Sequence, residues 1–262
     1  MFQQASQVTA LGDGRFSATV DESWSQGRGV YGGMVAALLT RALVAMVDAP
    51  DRHLRTLTVQ FVAPATPGPM TVEVEIVRAG SNATFASARL VSANGVCATA
   101  LGTFARDRRD GPTALYDDRP DFPTFDTLPE PPKMPGVPHF AQHVDYRWIL
   151  GSIYSGASHG EVGGWCRMRG DVTPDVVMIA ALLDVWAPPA LMLLDAPRPA
   201  ATVDLTYHFL APLPLDGASA RDAYAVRSVC TWAKDGYAET VGSLWSADGR
   251  LIARQRQLVA ML

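Results

Sequence analysis

The sequence has little charge and little cysteine. Only 18% of its 262 residues are charged while 48% are hydrophobic, which is a globular composition and not a disordered one. The formal net charge of −4 gives no indication of a nucleic-acid partner or an acidic membrane surface. Cys97, Cys166 and Cys230 are far apart in apolar segments. We therefore expect reduced core thiols in a cytoplasmic protein.

The sequence also shows no secretion signal and no membrane span. Its first residues lack the basic and apolar regions of a signal peptide. The longest apolar stretch, 176–194, contains Asp184 in its middle and the pair Pro188-Pro189. These residues predict a buried helix followed by a break, because a bilayer core excludes charge and proline interrupts a helix.

The chain repeats itself in three ordered blocks. MVAALLT (34–40) returns as MIAALLD (178–184) at an offset of 144 residues. TVQFVAP (58–64) returns within LTYHFLAP (205–212) at an offset of 148, and VSANG (91–95) returns as WSADG (245–249) at an offset of 154. Three matches in the same order indicate a duplicated domain.

Each copy combines an apolar helix with antiparallel strands. Helical spacing of apolar residues begins at Met34 and again at Met178. Alternating patterns, such as those in 71–77 and 223–227, predict strands. Because each helix is apolar around most of its circumference, we expect a sheet to wrap around it. This is an α+β unit with one long helix, present twice.

A proline-rich segment separates the two copies. Residues 107–138 contain eight prolines, which disfavour both a helix and an interior strand. We therefore predict an N-terminal domain at 1–106, a linker at 107–138 and a C-terminal domain at 139–262.

Five segments together resemble the acyl-CoA thioesterase II family, whose members are double-hotdog proteins. They are GVYGGMVAALLTRAL, LRTLTVQFVAPATPG, VRAGSNATFASARLV, ATVDLTYHFLAPL and DGRLIARQRQLVAML. The resemblance implies a tandem hotdog fold and the hydrolysis of acyl-CoA thioesters to free acid and coenzyme A. It implies no cofactor and no metal.

The family's catalytic residues carry over onto this sequence one by one. They are an Asp on the second helix, a Thr at the start of the strand before the F-x-x-P block, and a late Gln, which correspond to Asp184, Thr202 and Gln257. The resemblance implies that Asp184 activates a water while the other two hold water and carboxylate in line.

Asp184 is unusual even without the resemblance. A carboxylate in an apolar heptad is costly when it faces the core unpaired, so the simpler interpretation is a solvent-facing or capping residue. Thr40, its equivalent in the first copy, is also polar. Polarity at both positions favours a cleft between the two halves.

Three further residues are candidates for the same site. Gly32 and Gly33 open the first helix, so their backbone N–H groups could bind the thioester carbonyl, although tight packing against a strand explains them equally well. Strict alternation places Asp204 on the strand face of Thr202, which predicts a network partner.

The repeat offsets predict a second, inactive site. They pair Asp184, Thr202 and Gln257 with Thr40, Leu54 and Thr103. Threonine is not a base near neutral pH and leucine has no hydrogen-bonding group.

Rival sites have weaker support. Residues 156–160 match G-x-S-x-G around Ser158, but no helical pattern follows as a nucleophile elbow requires. His139 and His143 have metal-ligand spacing but lack an evident third ligand. The run from Arg106 to Arg109 could bind the phosphates of coenzyme A, although a solvated loop is the simpler interpretation.

Two other expectations concern function class and assembly. Hotdog proteins also serve as acyl-thioester binding modules or hydratases and dehydratases, and fold alone does not decide between these classes. Long strands leave sheet edges that subunits commonly pair, so we expect a homo-oligomer, a dimer or a tetramer.

Overall fold

The computed structural model describes residues 1–108, 111–115, 118–132 and 136–261. The helices are α1 (Phe2–Ala5), α2 (Gly32–Val47) and α3 (Val176–Leu182). The strands are β1 (Thr9–Gly12), β2 (Arg15–Val20), β3 (Ser25–Gln26), β4 (Gly29–Val30), β5 (His53–Phe61), β6 (Gly68–Ala79), β7 (Ala83–Ser92), β8 (Gly95–Ala105), β9 (Val144–Leu150), β10 (Glu161–Met168), β11 (Ala200–Phe209), β12 (Tyr224–Lys234), β13 (Tyr237–Trp245) and β14 (Leu251–Met261).

The long strands form one antiparallel sheet of twelve strands within the described residues. Their order is β1-β2-β6-β7-β8-β5-β11-β14-β13-β12-β10-β9, and β3 pairs with β4 separately. The first six strands come from the first copy and the last six from the second. The architecture is the predicted α+β double hotdog, and pairing of β5 with β11 joins its halves.

A pseudo-twofold axis passes between β5 and β11. Thr58 lies opposite Thr206, and the two hydroxyls are 3.2 Å apart. Their separation along the chain, 148 residues, is also the sequence offset of the repeat at these strands. Equivalent residues of the two copies therefore face each other, as in a symmetric dimer interface.

Helix α2 is the long apolar helix predicted for the first copy. It has 16 residues, and its buried residues include Met34, Leu38 and Leu39. It packs against β6, β7 and β8, so the N-terminal half of the sheet wraps around it. Among the described helices, none is both long and apolar enough to cross a membrane.

Helix α3 is shorter than predicted. It begins where the Asp175 side chain accepts a hydrogen bond of 2.9 Å from the Met178 amide, and it ends at Leu182 after seven residues. Asp184 therefore lies in the turn after the helix and not on it. The pair Pro188-Pro189 prevents helix from resuming, because proline lacks an N–H group, and a short 3-10 turn (Pro189–Leu193) follows.

Part of the proline-rich segment packs on the outer face of the C-terminal half-sheet. Phe122 and Phe125 are buried there against Trp165, whose indole N–H donates a 2.8 Å hydrogen bond to the Pro123 carbonyl. The guanidinium groups of Arg147 and Arg167 lie over the Phe125 ring at 4.2 and 4.3 Å. Besides connecting the halves, this segment contributes Phe122 and Phe125 to a small hydrophobic core that it shares with the sheet.

Replacing Phe125 with alanine tests whether that small core stabilises the fold. We expect Phe125→Ala to lower the free energy of unfolding by about 3 kcal/mol, because it removes a buried ring and two cation–π contacts. Leu115→Ala is the control, since Leu115 lies in the same segment but is 59% exposed. Urea unfolding of both variants gives the comparison, and equal midpoints would contradict a stabilising role for the segment.

Candidate active site

Asp184, Thr202 and Gln257 lie together on the inner side of the C-terminal half. The Gln257 amide nitrogen donates a hydrogen bond of 2.8 Å to the Thr202 hydroxyl and one of 3.3 Å to an Asp184 carboxylate oxygen. Gln257 reaches both because β14, which carries it, is the neighbour of β11, which carries Thr202. The amide thus links the carboxylate to the hydroxyl.

Thr240 belongs to the same network and sequence reasoning missed it. It faces Gln257 across β13 and β14, is fully buried, and its hydroxyl donates a 3.2 Å hydrogen bond to the Gln257 side-chain oxygen. This bond fixes the amide so that its NH₂ group points at Asp184 and Thr202. Only the strand register reveals the residue, because nothing in the local sequence marks it.

The start of α2 contacts the Asp184 carboxylate. The Gly33 amide donates a hydrogen bond to it, and a Cβ atom at Gly32 would lie 2.6 Å from its Oδ2 atom. A Cβ atom at Gly33 would collide with the Tyr31 ring and lie 2.7 Å from the Ala181 carbonyl oxygen. Gly32 therefore leaves room for the carboxylate, whereas Gly33 both donates to it and allows α2 and α3 to approach closely.

Burial changes the acidity of Asp184. Desolvation raises its pKa to about 7, and the Gly33 hydrogen bond opposes that rise only in part. The residue nevertheless keeps some accessible surface, which a water molecule needs to reach it. Near neutral pH the carboxylate is therefore both present and basic enough to accept a proton.

The charge of Asp184 also acts on buried tyrosines. Burial, and then the charge of Asp184, raise the pKa of Tyr31 and Tyr207 well above the usual value. Both phenols are therefore neutral hydrogen-bond donors at ordinary pH. Tyr31 donates at 3.3 Å to the Ala181 carbonyl oxygen.

The equivalent positions in the first copy lack this network, and one predicted equivalence is wrong. Leu57 lies opposite Gly102, just as Leu205 lies opposite Gln257. The twin of Gln257 is therefore Gly102 and not Thr103, which a one-residue change of register places on the other face of the sheet. By the same register Thr240 corresponds to Ala86.

The twin positions are packed with apolar atoms. A Cβ atom on Gly102 would lie 3.3 Å from methyl groups of both Leu43 and Leu54. Thr40, the twin of Asp184 by the offset of 144, is fully buried, and its hydroxyl has no hydrogen-bond partner among the described residues. The two halves share a frame, but only one carries a polar site.

The placement predicted for Asp204 is wrong. The register of β11 against β14 shifts between Thr202 and Asp204, so Val203 is an extra residue in the strand. The shift places Thr202 opposite the buried Val259, whereas Asp204 lies opposite Leu258 on the outer face. A β-bulge breaks the alternation on which the prediction rested.

Within the described residues, the groups that the rival nucleophile and metal sites require do not come together. Ser158 is exposed in the loop between β9 and β10, bonded to His159 at 2.9 Å, with no helix following it. His143 is bonded at 2.8 Å to the Ser23 hydroxyl and stacked on Trp24. Across the described part of the chain, no group of three potential metal ligands comes together.

The basic run lies at the end of β8, on the surface. Arg106 forms an ion pair of 2.5 Å with Asp51, and Arg108 lines an open surface cavity of about 580 Å³ together with Arg55. Arg109 lies outside the described residues. The Asp51 carboxylate therefore already offsets part of the positive charge that was predicted to bind the phosphates of coenzyme A.

The raised pKa of Asp184 predicts a pH-dependent effect on stability. The native state holds the proton up to about pH 7, whereas the unfolded chain releases it near 3.8, so wild-type stability is full below 3.8 and falls as pH rises to 7. Asp184→Asn has no such loss. We expect equal melting temperatures near pH 4 and a variant that melts several degrees higher at pH 8. For a protein of this size, a change of about 1 kcal/mol in the free energy of unfolding shifts the melting temperature by roughly 2–4 °C. Thermal scans from pH 4 to pH 8 measure it; a constant difference would contradict the raised pKa.

Comparison with known proteins gives relatives along the whole length. An uncharacterized protein of Mycobacterium tuberculosis is 25% identical over 277 aligned positions, covering 93% of this chain and 89% of its own. A hot dog protein of unknown function from Alicyclobacillus acidocaldarius is 27% identical, with a TM-score of 0.88, over 100% of this chain and 97% of its own. An acyl-CoA thioesterase II from Mycobacterium marinum shares the fold, with a TM-score of 0.78 and 18% identity, over 100% and 98% of the two chains.

Two family models match consecutive parts of the chain. The model described as acyl-CoA thioesterase N-terminal domain matches residues 20–105, and the model described as acyl-CoA thioesterase C-terminal domain matches residues 117–261. Together they include the start of α2, which contacts Asp184, and all four residues of the hydrogen-bonded network. The chain therefore belongs to the acyl-CoA thioesterase family.

Proposed function

We propose that this protein hydrolyses acyl-CoA thioesters, with the Asp184 carboxylate as the general base. The observation that carries the proposal is a buried carboxylate, held by Gln257, whose pKa of about 7 matches the pH at which it must accept a proton. The family of the chain supports the substrate class.

The reaction needs only one proton acceptor. A water bound near the Thr202 hydroxyl and the Gln257 amide attacks the thioester carbonyl carbon while Asp184 takes its proton. The carbon–sulfur bond of the tetrahedral intermediate then breaks, and Asp184 returns the proton to the sulfur of coenzyme A. Because a thiol is a far better leaving group than an alcohol or amine, the step needs no stronger acid.

The start of α2 is suited to bind the carbonyl oxygen. The first amides of a helix have no partner within the helix and carry a partial positive charge. Gly33 donates to Asp184 in the free protein. When Asp184 takes up a proton, the hydrogen bond that it accepts from the Gly33 N–H group weakens. Gly33 can then donate to the carbonyl oxygen as negative charge develops there.

Thioesterase activity should depend on pH through Asp184. Only its ionised form accepts a proton, so we expect kcat/KM to rise with pH and to level off above about 7, the pKa of the carboxylate. Release of free thiol from acyl-CoA substrates of increasing chain length, followed between pH 5 and pH 9, provides the measurement. A flat profile would exclude Asp184 as the base; binding of acyl-CoA without turnover would favour an acyl-thioester binding module.

A matched pair of variants tests which half is active. We expect Asp184→Asn to lower kcat by about 10²–10⁴-fold, because it keeps the shape and removes the base. Thr40→Val changes the twin position, where the hydroxyl is already unpaired, so its activity should stay within a few-fold of wild type. Ser158→Ala is a further control and should behave as wild type. Circular dichroism confirms folding, and equal losses for the Asp184 and Thr40 variants would disprove the assignment.

Sheet edges support a proposal for assembly. Strands β1 and β9 end the sheet, and an unpaired strand edge is available to another chain. We propose a homo-oligomer, which light scattering of the purified protein can detect.

A further inference from the structure

A row of three polar residues and one glycine crosses the inner face of the C-terminal half-sheet beside the proposed site. Tyr207, Gln255, Gly242 and Ser228 are successive neighbours on β11, β14, β13 and β12. We call these four residues the polar row. It lies two residues along each strand from Gln257 and Thr240, and the mechanism above does not use it.

Three atoms of the polar row have no hydrogen-bond partner within the described chain. They are the Tyr207 hydroxyl, the Gln255 side-chain oxygen and the Ser228 hydroxyl. The three residues are 0%, 6% and 2% exposed. Buried polar atoms are nearly always paired, so a group of three without partners points to something that binds them.

The first copy shows that the fold does not require polarity here. The corresponding row is Val59, Ala100, Ala88 and Val74, in the same order across β5, β8, β7 and β6. All four are buried and apolar. The duplication thus provides an internal control, and the polar row is a feature of the half that carries the site.

The cover over this row also differs between the halves. In the first copy the long helix α2 packs on β6, β7 and β8. In the second copy α3 ends at Leu182, and the 3-10 turn at 189–193 packs on β12 and β13 instead. A Cβ atom at Gly242 would collide with the Ser228 hydroxyl and lie 3.2 Å from the Gln255 amide nitrogen. The glycine therefore lets two polar side chains converge at the centre of the row.

We propose that the polar row binds a hydroxyl group on the acyl chain of the substrate, an inference that rests on the proposed thioesterase function. A hydroxyl group donates to the Gln255 oxygen and accepts from the Tyr207 phenol, so it satisfies both. A ketone would leave the Gln255 oxygen unpaired. A carboxylate would be buried without a cation, because none of the four residues is charged.

The spacing of the rows indicates where the hydroxyl lies on the chain. Two residues of a strand span about 6.6 Å. With the thioester carbonyl beside Gln257, an extended acyl chain places the hydroxyl about five carbon–carbon bonds further on. The matching probe is 6-hydroxyhexanoyl-CoA, with hexanoyl-CoA and adipoyl-CoA as its apolar and carboxylate counterparts.

The test measures the ratio of kcat/KM between 6-hydroxyhexanoyl-CoA and hexanoyl-CoA. We expect wild type to favour the hydroxylated substrate at least about tenfold, since a site built to bond a hydroxyl rejects the analogue that lacks it. In Tyr207→Phe, and separately in Gln255→Met should the first not fold, this ratio should fall toward one, because each removes one of the two groups that bind the hydroxyl. Tyr224→Phe is the matched control, because Tyr224 is another buried phenol without a partner in the described chain, and should keep the wild-type ratio.

A binding measurement separates this inference from the proposed function. Calorimetry on Asp184→Asn compares the affinities for the same two ligands without requiring turnover. Tighter binding of the hydroxylated ligand, lost on adding Tyr207→Phe, supports the polar row even if the proposed hydrolysis fails. Equal affinities together with a kcat/KM ratio near one in wild type would mean that the row holds only enclosed water, and would overturn the proposal.

Discussion

The pairing of β5 with β11 is the constraint on which the site depends. It joins the two copies in a register where Thr58 faces Thr206. This register brings the start of α2, from the first copy, against the turn that carries Asp184, from the second. A carboxylate from one half and helix amides from the other therefore meet in a place that neither half could build alone.

The environment of Asp184 balances two opposing effects. Removing a carboxylate from water is costly and raises its pKa, while the Gly33 hydrogen bond and the positive end of the α2 dipole favour the charged form. Desolvation is the larger of the two effects, so the pKa stays raised, at about 7. Their balance leaves a weak base, and Gln257, oriented by Thr240, restrains its position.

Divergence of the two copies separates folding requirements from functional ones. The extra residue in β11 at Val203 has a counterpart in β5 at Arg55, so the bulge belongs to the shared frame. Leu54 occupies the position of Thr202 and packs on Gly102. Because the apolar twin has the same strand arrangement, the frame alone does not account for the polar residues of the second copy.

The sequence alone predicted the duplication, the α+β architecture, the long helix α2 and the grouping of Asp184 and Thr202 with Gln257. Those features follow from local periodicity and from the resemblance of ordered segments, which a single chain displays directly. Tertiary structure decided the length of α3, which ends at Leu182, six residues before the proline pair at which the sequence predicted the break. It also decided the outward face of Asp204, the twin role of Gly102 and the part played by Thr240. These depend on strand register, and a one-residue bulge reverses the face of every side chain beyond it, which alternation in the sequence does not record.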